Sequence, residues 1–506
     1  MKPTLHRRRF LGTSAAVAGA VTLVPRAVLG GAGQVPPSER LVLAHIGMGT
    51  QSIRELGGLL REPRIEIVAI CDPNRDSHDY IGWSRDGIMN LIRSYLQNPN
   101  WRRGRGGIPG GREVGREIVE TYYARERGRK RSSGVRTYAD FRELLEKEKD
   151  LDAVKVMTPD HLHATIAIAA LRRGLHVLMH KPVANRLHEA RLVLESTRRS
   201  GKQTHLLAHG SATGNARLAW LLRRGLLGRL REIHNWTNRP VWPQYPEIPT
   251  DRPPIPPGFE WDLWLGPSLP RPYHPHYTHT VFRGWYEFGG GSMADMGIYS
   301  LWPVFRYLEL PSPVRAEALA SHACAIHDQV SRPIQNDWSY PAACTMRFGF
   351  PDGPEGPRPE LFWYDGGMRP RYPDFMEAQG APMGREGILF LGDKGAVLAG
   401  FHGENPRLYT TEGNRPLTEA ESEVDPSVTA EWSRSGNHWL EAFQGGPPSP
   451  GSFLNAGPVS DTVNLGTVAL RARARVEFDP AAVRVVRPAG ADRFLRRKYR
   501  PGWELG

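Results

Sequence analysis

The sequence predicts an α/β chain in two parts: an N-terminal doubly wound parallel sheet, then an α+β domain with a large, mostly antiparallel open sheet. Three observations predict it. Apolar runs at 41–46, 65–71, 151–157 and 176–179 alternate with helical patterns, the order that builds a parallel sheet. A glycine turn, Gly47-Met48-Gly49, opens directly off the first run. From Val314 to Phe350 and from Gly387 to Gly400 the period changes to two, with a Gly392-Asp393-Lys394-Gly395 turn that suits a hairpin. At 506 residues, 40% hydrophobic and 24% charged, the chain has globular proportions and length for two or three domains. A disordered tail, a collagen-like rod and a disulfide-stapled miniprotein are excluded.

The first element is a leader. A basic head, Arg7-Arg8-Arg9-Phe10-Leu11-Gly12, leads into an apolar middle, Thr13 to Val24, and a small-residue exit, Ala27 to Gly31. This is similar to a twin-arginine export signal, a route known for carrying proteins already folded. Residues 1–36 are therefore read as signal and linker, and a periplasmic or secreted protein is expected. The exit lacks a clean Ala-x-Ala, which leaves the leader as an uncleaved tether as the alternative. The apolar run falls short of the ~20 residues a membrane span needs, and no integral span is expected. Without the five leader cations, Lys2, Arg7, Arg8, Arg9 and Arg26, the net charge falls from +13 to +8. The remaining excess concentrates between Trp101 and Arg131, with ten Arg or Lys against four Glu. That is a local basic insertion, and no nucleic-acid partner is expected. Cys71, Cys324 and Cys344 have no metal-ligand spacing and read as buried thiols.

Residues 37–182 read as a Rossmann dinucleotide-binding domain. Leu41 to Ile46 is a buried strand, and the helix after Gly49 runs through Leu60. Gly47 permits a tight turn, Gly49 lets the backbone approach a pyrophosphate, and Thr50 and Gln51 begin a helix whose amide hydrogens face that charge. The second strand, Ile65 to Cys71, ends at Asp72, twenty-five residues past Gly47, where a carboxylate would accept the ribose hydroxyls. Ser52 stands where the pattern has its third glycine. Asp72 favours NAD over NADP, because a 2′-phosphate would face a carboxylate; Arg75, three residues on, offers the opposite preference. Residues 76–134 read as an insertion, with helices at Ser84–Gln97 and Arg112–Arg127 and a Gly-Arg loop between. It is expected to be an exposed decoration, an oligomer contact or a partner surface. The turns Thr158-Pro159-Asp160-His161-Leu162-His163 and His180-Lys181-Pro182 should open on the same crevice as Gly47.

Those segments carry a resemblance. From the glycine turn through "TPDHLHATIAIAALRRGLHVLMHKP", and again at "WDLWLGP", "RPYHP", "GDKG" and "YRPGW", the chain resembles the Gfo/Idh/MocA oxidoreductase family, in particular exported bacterial members. The resemblance implies that Lys181 matches the lysine of a Glu-Lys-Pro motif beside nicotinamide and substrate, with His180 in place of the glutamate. It also implies cofactor contacts from Thr158, Pro159 and His163.

Residues 183–506 read as the substrate and oligomerisation domain. Helices are expected near His188–Arg199 and Asn215–Arg224, with a short strand at Thr204–Ala208. The aromatic passage from Trp236 to Tyr277 suits a carbohydrate site. Asp295 and Tyr299, four apart in "GGGSMADMGIYS", project from one face of a helix. This wording resembles the glucose-fructose oxidoreductase branch. It implies Tyr299 as proton carrier, Asp295 as hydroxyl-orienting acceptor and Lys181 as the cation steadying alkoxide charge. Arg283, Trp285 and His274 are further substrate-side candidates. No metal is expected. The reading is an exported oxidoreductase moving hydride between a tightly bound NAD or NADP and a sugar or polyol, assembled as a dimer or tetramer. Two alternatives stand beside it: an NAD-dependent glycosidase acting through transient C3 oxidation, and a non-catalytic sugar-binding relative.

Overall fold

The computed structural model describes residues 35–128, 134–208, 213–423 and 438–505; the leader lies outside the described residues. Six parallel strands form the first sheet: β1 (Leu41–Ile46), β2 (Ile65–Cys71), β3 (Arg136–Tyr138), β4 (Ala153–Val156), β5 (His176–Met179) and β6 (Thr204–Leu206). Their order is β3-β2-β1-β4-β5-β6. The order reverses between β1 and β4, which pair in register from Leu43 opposite Ala153 to Ile46 opposite Val156. A crevice therefore opens beyond their carboxyl ends, at Gly47 and Met157. Crossovers run through α1 (Thr50–Arg61), α2 (Gly87–Leu96), α3 (Arg112–Arg127), α4 (Phe141–Lys147), α5 (His163–Arg172) and α6 (Leu187–Ser200). In α1 the buried Ile53, Leu56, Leu59 and Leu60 recur at helical spacing and face the sheet.

Two expectations change here. The first domain does not end at Pro182, because β6 adds to β5 with Val177 opposite Thr204. The insertion is no exposed decoration either. Ile88, Ile92, Ile108, Val114, Ile118 and Tyr123 are buried in one core with Ile53 and Leu56 of α1. α3 also serves the edge of β2 that the short β3 leaves unpaired. The Tyr123 hydroxyl accepts the Ile67 N–H at 2.8 Å, and Arg127 Nη1 donates to the Ile65 carbonyl at 2.8 Å. The charge that marks this stretch in the sequence conceals its buried face.

The second domain is a ten-stranded sheet. Its strands are β7 (Leu230–Trp236), β8 (Arg315–Ala320), β11 (Cys344–Gly349), β12 (Glu360–Tyr364), β13 (Gly387–Gly392), β14 (Gly395–Ala399), β15 (Arg407–Thr410), β16 (Gly413–Pro416), β17 (Val476–Asp479) and β18 (Arg484–Arg487). The order is β16-β15-β14-β13-β7-β12-β11-β8-β17-β18, antiparallel except between β7 and β12. A separate ribbon, β9 (Cys324–His327) with β10 (Val330–Pro333), is exposed, so Cys324 is an exposed thiol. One sheet face is covered by α7 (Thr213–Arg223), by the helix Ile298–Tyr307 and by the helix Gly457–Ala472. Leu361 and Trp363 of β12 are fully buried there, while Glu360, Phe362 and Tyr364 turn to the other face. That helix comes closest at Gly466, where a Cβ would lie 2.6 Å from the Met346 sulfur.

The aromatic passage between the domains is a packed cluster. Phe259, Trp261, Trp264, Tyr273, Tyr277, Phe282, Trp285 and Phe288 are all buried together. Trp261 and Trp264, the latter two within the short α8 (Trp261–Leu265), stack at 4.9 Å between centroids. These rings stiffen a wall and present few faces to a sugar. Among the described residues no helix is long and apolar enough to cross a membrane.

Candidate active site

The glycine turn has the geometry a dinucleotide needs. Gly47 sits at φ +92°, and a Cβ on it would lie 2.5 Å from the Met157 carbonyl oxygen, so only glycine fits between β1 and the turn after β4. Gly49 is the N-cap of α1 and no side chain caps the helix, which leaves its first amide hydrogens for an anion. Asp72 is buried, and its two carboxylate oxygens accept the N–H groups of Met48 at 2.6 Å and Asn74 at 2.8 Å. It thereby fixes the turn while a second lone pair on each oxygen stays available. Gly47, Gly49, Thr50, Gln51, Asp72, Thr158 and Pro159 all line one cleft of about 820 Å³, its open mouth included. Thr158 Oγ1 is buried there with no partner, an orphan that a ligand hydroxyl or amide would satisfy. The residues fit a bound dinucleotide.

A strap from the insertion crosses this cleft. Tyr80 packs its ring over Gly49, 3.3 Å from where a Cβ would stand. The Ile81 carbonyl accepts a hydrogen bond from Thr280 Oγ1 of the second domain at 2.8 Å, and Tyr80 packs against His279 at a tilt of 46°, with centroids 4.0 Å apart. Farther back, the Arg75 N–H donates to the Gly258 carbonyl at 2.8 Å, and the Glu260 N–H to that of Pro73 at 3.0 Å.

The reactive groups meet beside the cleft, next to His180 and Arg283 of its lining. Lys181 Nζ lies 2.6 Å from Asp295 Oδ1, and Arg283 Nε reaches the same oxygen at 3.2 Å. Lys181 Nζ stands 5.0 Å from the centre of the Tyr299 ring. Asp295 belongs to a π-helical turn, Met293–Gly297, which runs directly into α9 (Ile298–Tyr307). Such widened turns recur at functional sites. Four residues still make about one turn there, so Asp295 and Tyr299 share a face as the spacing predicts. Burial alone would push the Asp295 carboxyl up, but the Lys181 and Arg283 charges outweigh it and hold the group ionised, well below the usual carboxylate range. Burial pulls the Lys181 ammonium below its ordinary value against the opposing charge of Asp295. The Tyr299 phenol is pushed up by burial and by the Asp295 and Glu55 carboxylates, so it keeps its proton at neutral pH.

Beside Lys181 a second network has formed. Glu55 of α1 takes Lys155 Nζ at 3.0 Å, Gln51 Nε2 at 3.0 Å and His180 Nε2 at 3.4 Å. The carboxylate absent from position 180 in the chain is thus present in space, carried by the nucleotide-binding helix. No local signal in the sequence marks Glu55, which stands one turn on from Gln51 along the helix and is defined by partners distant in the chain.

Three expected contacts are placed elsewhere. His163 is fully buried behind the cleft, its ring nitrogens 2.7 Å from the Pro182 carbonyl oxygen and 2.9 Å from that of Thr158. It ties the two turns together and touches no cofactor space. Trp285 is 1% exposed, stacked under Tyr245 at 4.9 Å, and its indole N–H donates to the His276 carbonyl at 2.7 Å. His274 is buried too, pairing with Asp251 at 3.2 Å and accepting the His276 N–H at 3.1 Å as the cap of a short turn. Aromatic and imidazole types in a proline-rich passage suit both packing and substrate contact; packing took these two. Arg283, by contrast, lines the cleft. Among the described residues no group of three or more His, Cys, Asp or Glu is placed to hold a metal ion.

Comparison with known proteins decides the lineage. Residues 111–207 match the family model described as an oxidoreductase family with an NAD-binding Rossmann fold, and residues 223–345 match its C-terminal alpha/beta domain. The chain belongs to the Gfo/Idh/MocA oxidoreductase family. The first match begins at α3, so the glycine turn and Asp72 lie outside it. Levoglucosan dehydrogenase of Pseudarthrobacter phenanthrenivorans is 35% identical over 60 residues, 12% of this chain and 15% of that protein. 1,5-Anhydro-D-fructose reductase of Ensifer adhaerens is 26% identical over 188 residues, 36% of this chain and 44% of that protein. The matched stretches therefore span less than half the length of these curated relatives. Among solved structures, the WlbA dehydrogenase of Bordetella pertussis, crystallised with NADH and UDP-GlcNAcA, shares the fold. Its TM-score is 0.51 at 13% identity, over 87% of this chain and 99% of that one.

Proposed function

We propose that this Gfo/Idh/MocA member oxidises a sugar or polyol hydroxyl, or reduces the matching carbonyl, with a retained nicotinamide dinucleotide. The observation that carries the reading is the meeting of Lys181, Asp295 and Tyr299 with Arg283, which itself lines the cleft of the Gly47 turn. When bound, the cofactor supplies a hydride acceptor or donor. Lys181 in its neutral amine form, which burial favours, takes the hydroxyl proton as a carbinol becomes a carbonyl, and returns it from the ammonium in the reverse direction. Asp295 stays ionised and holds Lys181 in place. Tyr299, protonated, donates a hydrogen bond to the substrate oxygen. The proton-carrying role read from sequence for Tyr299 thus passes to Lys181, because a phenol pushed upward is a poor acceptor.

The strap supports retention, since Tyr80 and Ile81 line the cleft and are tied across it to Thr280 of the second domain. The Asp72 carboxylate in the cleft favours NAD over NADP. The leader supports export of the folded, loaded protein. Leu319 and Ile326, 71% and 75% exposed on the second domain, support self-association. The purified protein is expected to carry nucleotide through gel filtration, and light scattering to report a dimer or tetramer. A nucleotide-free preparation with full activity on added NAD would overturn retention; bound nucleotide that no sugar or polyol oxidises or reduces would overturn the reaction.

A further inference from the structure

We infer that the substrate is an anionic sugar, whose carboxylate or phosphate group is held by Arg239 together with Arg283. This rests on the sugar-oxidoreductase reading above and names its substrate class. The argument begins with a count of charges. Lys181 and Arg283 share a single carboxylate oxygen, Asp295 Oδ1, at 2.6 Å and 3.2 Å. Arg239, just past the end of β7, is a third cation near that carboxylate, and its charge helps to hold Asp295 ionised. The other acids nearby are committed. Glu55 is matched by Lys155 at 3.0 Å. Asp160 is buried, accepts the Gly290 N–H at 3.0 Å and is pushed toward its neutral form by burial. Even with Asp160 ionised, three cations face two carboxylates.

Arg239 also lacks the partners such a group usually has. Its Nη1 donates to Asn238, its own neighbour, at 3.2 Å, and its Nε is buried with no partner. The guanidinium lies 5.8 Å from the ring of Trp83, a residue of the strap that is 51% exposed. Arg283 lies 5.9 Å from the ring of Trp242, whose buried indole N–H is likewise unpartnered. Two guanidinium forks, each beside an indole ring, therefore stand on this side of the site, Arg283 on Asp295 and Arg239 by Trp83 of the strap. Forked donors suit a carboxylate or phosphate, and the exposed Trp83 ring suits the C–H face of a sugar. A neutral sugar would leave the excess charge to the water that reaches these half-buried guanidinium groups, whereas an anion would compensate it through forked, charge-assisted hydrogen bonds. A charged hydrogen bond formed here favours the acid on the order of 10- to 100-fold.

The test uses the purified full chain with its nucleotide in place. Binding of D-glucose, D-glucuronate, D-gluconate and D-glucose 6-phosphate is measured by calorimetry, and fluorescence of the reduced nucleotide is followed in parallel. At least one anion is expected to bind on the order of 10-fold or more tighter than glucose. Whether the acids or the phosphate ester lead separates the two sources of charge. Arg239→Met should reduce that preference about 10-fold, and Arg239→Lys should restore part of it. If no anion binds more tightly than glucose, or Arg239→Met keeps the preference intact in a variant with wild-type near-UV circular dichroism, the inference fails. The wild-type comparison stands whether or not the variants fold. Selective anion binding without any change in nucleotide fluorescence would sink the redox reading and leave this one; hydride transfer with neutral sugars alone would do the reverse.

Discussion

Lys181 and Asp295, 114 positions apart in the chain, meet at 2.6 Å with their charges almost wholly removed from water. One stands in the turn after β5 of the first sheet, the other in a π-helical turn of the second domain. Neither domain alone holds the pair, so the reactive site exists only where the two lobes close on each other.

Replacing Lys181 tests that pairing. Lys181→Met is expected to cut turnover by about 10²- to 10⁴-fold while nucleotide stays bound. The wild-type pH profile follows from the lowered ammonium. In the oxidising direction the neutral amine is the active form, so the rate rises with pH through a midpoint below the ~10.4 of free lysine. Acidification protonates the amine and slows oxidation; carbonyl reduction has the opposite slope. Single-turnover reduction of the bound nucleotide across about pH 6 to 10 measures it. An unchanged limb in Lys181→Arg would assign the proton to another group.

The strap should govern release of the nucleotide. Tyr80→Ala removes the ring that packs over Gly49 and against His279 at 4.0 Å. Losing that burial is worth about 2 kcal/mol, so nucleotide should dissociate at least ~10-fold faster in a stopped-flow chase. Equal dissociation rates would mean that the strap opens and shuts without affecting escape.

Much of this was legible in the chain. The period-two and period-3.6 patterns place β1, β2, β4, β5 and the hairpin β13–β14 to within a few residues, because burial on both sheet faces or on one dictates residue type directly. Lys181, Asp295 and Tyr299 announce themselves by motif. The illegible part consists of residues defined by neighbours distant in sequence. Glu55 reads as an ordinary polar position of α1 until Lys155 and His180 arrive beside it. Arg239 gives no local sign that its charge acts on Asp295. The insertion's basic composition hides α3, whose apolar residues face inward while its arginines serve the β2 edge.

Glu55 supplies the third prediction. Lys155 is only 3% exposed at its side chain, and Glu55→Gln strips it of its counter-charge. A loss of about 3 kcal/mol in denaturant unfolding is expected, largely recovered in Glu55→Gln combined with Lys155→Met. Additive losses in the double variant would show that the two residues act separately.

Trp285 should behave as packing. Its ring is stacked under Tyr245 and its N–H is satisfied by His276. Trp285→Ala is expected to cost about 3–5 kcal/mol of stability, and Trp285→Phe to fold with an unchanged KM for the sugar. A selective rise in that KM would return Trp285 to the substrate.

Trp503 carries a consequence for the order of synthesis. It rests against Phe141 of α4 at 6.1 Å, under Arg142 at 4.1 Å, and close behind Gly266 and Leu162. Leu162 is part of the inner wall of the nucleotide cleft. That wall therefore lacks its backing until the ribosome has delivered residue 503. A nascent chain cannot hold its dinucleotide firmly at the halfway point, even though every glycine of the turn has long since emerged. A dinucleotide held in this cleft would therefore gain its full backing only once the segment around Trp503 has been made and has folded against α4.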